Sequence, residues 1–489
     1  MTRFFTRVVP TGLFVTLLLS GCASTHGLAP STQPMDADAL QASRSLSGGG
    51  TDAGFPAQDW WKAFGDAQLD ALVSEALADA PSLAIADARA RQAMAQAGLA
   101  DAARKPTVGA TAQYSGVLIP ESIAPEPLGG EYQGIVLLGL QLKYSPDLWG
   151  GHEARWRAAL GQARAAEVET QAARLTLSSN IARAYIALAQ AHAAHDVANA
   201  EQARASHLLD LGRQRVKAGL DNQLQLRNAE ASVASAQQQA QAAQQQIDAA
   251  RNAIAALLGK GPDRGLDIAK PALLSLPSPT VPPVLPSELL GHRPDVVAAR
   301  WRVESAAHGI QASKSDFYPT VNLSALVGIA SGHLSDLFTS DALLVQGGPA
   351  LSLPIFDGGR LRNQLAKSNA DYDLAVATYN QDLSTALREV ADALQGMRSL
   401  DTQLASTQQA RDAAQSAWQL ASTRYRAGLG TQLDVLAAQR PLLQFDQQLA
   451  ALRAQRLGAA VELDRALGGG LQFAAPSEND IDIARAPTP

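Results

Sequence analysis

Arg215-Val216-Lys217-Ala218-Gly219-Leu220 and Arg424-Tyr425-Arg426-Ala427-Gly428-Leu429 are two copies of one phrase, 209 positions apart. Each is followed by a Gln-Leu pair, Gln223-Leu224 and Gln432-Leu433. The correspondence extends outward from the phrase. Pro81 and Pro106 are matched by Pro294 and Pro319, and Gly259 and Gly468 each lie 40 residues past their own turn glycine. Self-similarity on this scale makes each half of the chain one structural unit and the fold an internal duplication.

Between the glycine pairs (Gly150-Gly151, Gly358-Gly359) and the repeated turns, helix pattern runs for almost seventy residues. That is roughly 100 Å of helix at ~1.5 Å per residue. Apolar positions step by three and four, as in Leu177-Ile181-Tyr185-Leu188 and Leu387-Val390-Leu394-Met397, the seam of a coiled coil. Aromatic residues make up only 5%, and Ala and Gln dominate residues 236–251. Such a composition favours long, closely packed helices over a thick core. A return helix follows each turn, and a shorter one lies between each proline pair, near 82–104 and 295–317. Lengths match if 220–258 and 295–317 stack end to end beside 151–218. A Pro-rich stretch (Pro262, Pro271, Pro277, Pro279, Pro282, Pro283, Pro286) would then bulge as a belt at mid-height.

Residues 107–116 and 132–144 alternate with period two, which marks strands facing two different solvents. Val108, Ala110, Ala112 and Tyr114 share one face, as do Tyr132, Val136, Leu138, Leu140, Leu142 and Tyr144. Tyrosines at the ends of an apolar stripe have the look of membrane-interface girdles, and Tyr132 and Tyr144 are the candidates for that role. In the second unit Val321, Leu323, Ala325, Val327 and Ile329 repeat the pattern. The last strand, ending near Leu351-Ser352-Leu353, contains Pro349, which suggests a bulge or a shifted strand. Four strands cannot close a membrane barrel alone, so either several chains share one or the sheet packs on helices. The long helices favour sharing.

Cys22 is the only cysteine. It follows a basic start (Arg3, Arg7) and an apolar run too short to span a bilayer, which together read as a signal peptide over 1–21. Leu19-Ser20-Gly21-Cys22 has the form of a bacterial lipobox, with Cys22 as the lipidation site, and Ala23 after it favours the outer membrane. A net charge of −6 leaves no nucleic-acid footprint. No Walker box, His-Glu-x-x-His or Gly-x-Ser-x-Gly motif occurs, so no enzyme chemistry and no cofactor are expected. His192 and His195 share a helix face, but two ligands make poor evidence for a metal.

These features together resemble the TolC-like outer-membrane efflux channels, specifically the lipoprotein branch that serves resistance-nodulation-division pumps. The resemblance rests on the lipobox, Trp60-Trp61 with Phe64-Gly65-Asp66, and His292-Arg293-Pro294-Asp295-Val296. Phe317-Tyr318-Pro319, Leu353-Pro354-Ile355-Phe356-Asp357-Gly358-Gly359-Arg360 and the two Arg-x-x-Ala-Gly-Leu turns complete it. Arg300 and Pro146 depart from the family pattern. The resemblance implies a mostly α fold with membrane β: a periplasmic α-barrel of long antiparallel coiled-coil helices, and four strands contributed to a trimeric 12-stranded outer-membrane barrel. The implied partners are two further copies of the chain, a periplasmic adaptor, an inner-membrane pump reached indirectly and outer-membrane lipid.

The expected organisation is a signal peptide (1–21), a lipidated flexible tether (22–55) and an N-terminal equatorial segment (56–80). Repeat 1 (81–258), a Pro-rich equatorial segment (259–293), repeat 2 (294–467) and a C-terminal segment (468–489) follow. Arg215, Lys217, Gly219 and Leu220 of the first turn, with Arg424, Arg426, Gly428 and Leu429 of the second, are expected to meet the adaptor. Glycine at such a turn also has the plain role of adopting a left-handed conformation. Asp434 matches a family position where an acidic ring narrows the tunnel, and Ala437 stands at the second acidic position. The function so implied is a passive exit duct for small molecules, opened at its tip by the adaptor. Alternatives are the duct of a type I protein-secretion system, or a lipid-anchored coiled-coil spacer without a pore.

Overall fold

The computed structural model describes residues 25, 27–36, 40, 55–120, 122–123, 130, 132–272 and 289–471. The first unit comprises α1 (Ala67–Asp79), α2 (Pro81–Ala102), β1 (Thr107–Leu118), β2 (Tyr132–Tyr144), α3 (Gly151–Lys217) and α4 (Gln223–Leu257). The second comprises α5 (Pro294–Ser315), β3 (Thr320–Ser331), β4 (Leu343–Ser352), α6 (Arg360–Arg426) and α7 (Gln432–Ala466). The duplication holds to the residue: both long helices have 67 residues, both return helices 35 and both short ones 22. The long helices are therefore about 100 Å each.

The seam positions pack as their spacing requires. Ile181, Tyr185 and Leu188 on α3 and Val390, Leu394 and Met397 on α6 are buried in one core with Ile247, Ile254 and Leu258 from the first return helix and Leu457 and Val461 from α7. Trp60, Trp61 and Phe64 close that core from outside. Asp66 fixes them in place: it caps α1 by accepting from the Gln68 and Leu69 amides, and it receives the Tyr185 hydroxyl at 2.9 Å. The Trp-Trp segment is thus locked into the helical core beside the middle of α3.

Which short helix stacks on which return helix differs from the expectation. The first return helix ends at Gly259, which abuts Pro81 at the start of α2. The second ends at Gly468, against the His292 carbonyl just before α5, and Arg293 donates to the Ala466 carbonyl at 3.1 Å. The quasi-continuous columns are therefore α4 with α2 and α7 with α5, not 220–258 with 295–317. Because both short helices are 22 residues long, length could not tell them apart.

At the second of these joints six charges form a continuous chain: Arg183–Glu462–Arg465–Glu389–Arg293–Asp295. Arg293 is 3% exposed. Burial opposes its charge, but the Asp295 and Glu389 carboxylates outweigh that and raise its pKa. Removing one member of a buried pair leaves an uncompensated charge, so this cluster pins four helices together.

Part of the stretch expected as a flexible tether is docked. The Ser31 and Thr32 amides donate to the Asp373 carboxylate at 2.8–3.1 Å, the Thr32 hydroxyl also bonds to it, and the Met35 amide donates to Asn380 at 2.7 Å. The segment runs extended along α6, with Leu28 packed against Ile310, Phe317, Leu361 and Leu365. Cys22 and the rest of the N-terminal region up to Phe55, apart from the residues named above, lie outside the described residues, as do 273–288 of the expected Pro-rich belt and all of 472–489.

The four strands form one antiparallel sheet in the order β1-β2-β3-β4. Its register aligns every predicted stripe on one face: Ala112 opposite Leu138, Leu138 opposite Ile329, Leu140 opposite Val327, and Val327 opposite Val345. Pro349 sits in unbroken register opposite Leu323, so the expected bulge or shift is absent. In this chain β4 is an edge strand, where a missing N–H need not break a ladder.

Candidate functional site

The repeated phrase sits where each long helix turns into its return helix, at the end of the molecule away from the sheet. In both copies the helix stops in a Schellman motif. The Leu220 amide donates to the Arg215 carbonyl and the Gly219 amide to Val216; the Leu429 amide donates to Arg424 and the Gly428 amide to Tyr425. Gly219 and Gly428 have φ of 75° and 72°, a region costly to any residue with a Cβ. Leu220 and Leu429 are 66% and 72% exposed, and Lys217, Arg424 and Arg426 are exposed with them. Two apolar tips ringed by cations result.

The tips are held differently. In the first, Arg215 pairs with Asp221 at 2.6 Å, and Asn222 caps α4. In the second, Gly430 stands in the place of Asp221, and the arginines donate to backbone and hydroxyl oxygens, Arg424 to Leu429 O and Arg426 to Ser422 O and Thr423 Oγ1. Asp434 is the third residue of α7 and forms a capping box with Thr431. Its carboxylate accepts the Thr431 amide and hydroxyl, both at 2.8 Å. The amide first, then the hydroxyl, hold its pKa below the ordinary aspartate value, so it is ionised at neutral pH. The motif Thr431-x-x-Asp434 carries this capping role in sequence.

At the other end, Tyr132 lies opposite Leu118 at the upper end of the hairpin, and Tyr144 lies opposite Leu323 at the lower end. They are twelve residue steps apart, about 40 Å along the strand. A tilt of about 45° brings that near the thickness of a bilayer core. Tyr114 and Tyr132 each lay a ring over a glycine on the neighbouring strand, Gly134 and Gly116. Below the sheet, Trp149 stacks on Tyr318 at 4.8 Å and donates to the Pro319 carbonyl at 2.7 Å. These aromatics escape a period-two reading because they sit in turns. Among the described residues no three His, Cys, Asp or Glu side chains gather as a metal site; His195 instead lies against Asn199.

Comparison with known proteins decides what this architecture belongs to. The profile of the outer membrane efflux protein family matches twice, over residues 72–260 and 285–469. The chain belongs to that family. Among its relatives, the pyoverdine export outer membrane protein OpmQ of Pseudomonas aeruginosa is 33% identical across 93% of this chain and 95% of its own length. The fusaric acid resistance protein FusA of Burkholderia cepacia is 38% identical across 73% of this chain and 68% of its own. Among solved structures, the outer membrane protein VceC of Vibrio cholerae superposes with a TM-score of 0.77 at 37% identity, covering 85% of this chain and 100% of that one. The Campylobacter jejuni outer membrane channel CmeC shares the fold, with a TM-score of 0.84 across 94% of this chain and 98% of that one, at 24% identity. The two family matches coincide with the two structural units. This outer membrane efflux protein is a channel whose helices form its periplasmic part and whose strands form its membrane part.

Proposed function

We propose that three copies of the chain assemble into one duct, each contributing its four strands to a closed 12-stranded barrel and its helices to a tunnel below. The observation that carries this reading is the open sheet. Its apolar face includes exposed Val108, Leu140, Val327 and Val345, and β1 and β4 each have a free edge in this chain. Backbone in a bilayer must be satisfied, and pairing β4 of one copy with β1 of the next removes both edges at once. Cys22 anchors the assembly by lipid. The tips, with Arg215, Lys217, Gly219, Leu220, Arg424, Arg426, Gly428 and Leu429, receive a periplasmic adaptor, which couples the duct to an inner-membrane pump. Three copies of Asp434 around the axis form an anionic ring that both narrows the tunnel and attracts cations. The cargo is small molecules, in keeping with relatives named for fusaric acid resistance, pyoverdine export and multidrug resistance.

Planar-bilayer conductance of the detergent-extracted protein tests the duct. A resolved trimer with discrete conductance steps is expected; a non-conducting monomer would leave the spacer reading standing. Asp434→Asn tests the ring: cation selectivity and closed-state block should both fall, and an unchanged current would remove Asp434 from the gate.

A further inference from the structure

We propose that α7 carries a hinge at Pro441, latched by Arg204, which lets the second tip swing while the first stays rigid. Pro441 lies inside α7 as its tenth residue. Proline has no N–H to give the Ala437 carbonyl, and its ring crowds that carbonyl, so the helical ladder is weakened there. The carbonyl next to the one that the proline deprives is held from outside the helix: Arg204 of α3 gives Nη1 to Leu436 O at 3.3 Å. That guanidinium is 9% exposed and is held flat by two bonds to Glu201, at 2.7 and 2.6 Å. Leu436 and Leu442 are buried on either side of Pro441, within a helix that stays continuous in this conformation.

The first hairpin has no such joint. Position 232, the counterpart of Pro441, is a serine whose hydroxyl donates to Asn228 O at 2.9 Å within an unbroken α4. Ala413 is the counterpart of Arg204, and the first tip is further fixed by the Arg215–Asp221 pair. Space is available for the movement: a groove of about 400 Å³ runs between α3, α4 and α7 beside the joint, lined by Glu201, Gln239, Ala243, Arg440 and Gln444 among others. The nine residues of α7 before Pro441 carry Asp434, so rotation at the hinge carries the carboxylate with it. As a gate this rests on the duct reading above; as a joint in α7 it does not.

Hydrogen–deuterium exchange on the full-length protein in detergent tests the joint directly. Amides of 432–440 should exchange at least tenfold faster than those of 223–231. Pro441→Ala, which adds a helix former and a donor, should bring 432–440 close to the 223–231 rate. Arg204→Met should quicken 432–440 several-fold, and Glu201→Gln with Arg204→Met should do the same without a stranded carboxylate. Equal exchange in the two hairpins, or no response to Pro441→Ala, overturns the hinge. Single-channel recording separates this from the duct. If wild-type protein conducts and Pro441→Ala opens as often, the hinge is no gate. If the exchange pattern is as expected but nothing conducts, the hinge stands and the duct reading falls.

Discussion

At Gly219 and Gly468 one residue type answers two demands. Gly219 has open space where a Cβ would go, so Gly219→Ala should cost only the left-handed backbone term, about 1 kcal/mol. At Gly468 a Cβ would lie 2.1 Å from the His292 carbonyl. Gly468→Ala must therefore push apart the joint between α7 and α5, and about 3 kcal/mol or more is expected; thermal unfolding of the two variants side by side checks the ranking. Asp464, in the last turn of α7, offers a pH test. Burial pushes its carboxyl up to about 7. The folded state then holds a proton that the unfolded state releases, so stability falls as pH rises from about 4 through 7 and levels above. Asp464→Asn should match the parent near pH 4.5 and exceed it at pH 8, by roughly 1–2 kcal/mol once its partial exposure is allowed for; parallel melts at both pH values would show an uncoupled group instead. Legibility at this scale is uneven. The turn glycines and the Thr431-x-x-Asp434 box are local and readable, whereas Arg293 and Arg204 find acceptors 96 and 232 positions away, which no local pattern encodes.

Among the elements, the helices were readable to within a few residues because seam spacing and proline and glycine punctuation are repeated in both units. Their stacking was not, since the two short helices have the same length and only the contacts of Gly259 and Gly468 distinguish them. The N-terminal strap was also opaque. Its Ser/Thr/Pro/Gly composition reads as a linker, yet Ser31 and Thr32 present two amides and two hydroxyls to a single carboxylate. The Thr32 hydroxyl first, with the Thr32 amide and the Ser31 hydroxyl and amide, brings the Asp373 pKa down to about 2 against the opposing effect of burial. A depressed carboxylate stabilises docking above the ordinary aspartate range and loses that contribution as pH falls toward 2. Asp373→Ala should therefore release the strap at neutral pH and expose the peptide bonds near 31–35 to a broad protease. Protection equal to the parent's would mean that Leu28 and Asn380 hold the strap unaided.

On the scale of the whole molecule the sheet and the helices make different demands on their surroundings. The helices bury their seam within one chain, while the sheet leaves its apolar face and both edges open. Period-two alternation made that face legible, because a strand has only two sides and each residue must take one. Val327 and Ser324 turn this into a decisive pair, since they lie three residues apart on β3 and point to opposite faces. If the apolar face meets lipid, Val327→Arg places a charge near the bilayer middle at a cost of about 2–4 kcal/mol, while the same change on the inner face of a barrel is cheap. Outer-membrane fractions should then lose Val327→Arg and retain Ser324→Arg, with the helices of both variants intact by circular dichroism. Were the sheet instead packed on protein with its apolar side inward, Val327→Arg would lower the thermal stability of the chain itself and Ser324→Arg would not, because the buried charge would lie in a protein core. A lipid-facing stripe therefore shows itself as a loss of membrane retention with the helical part still folded, because the charge is then opposed by hydrocarbon and not by the packing of the chain.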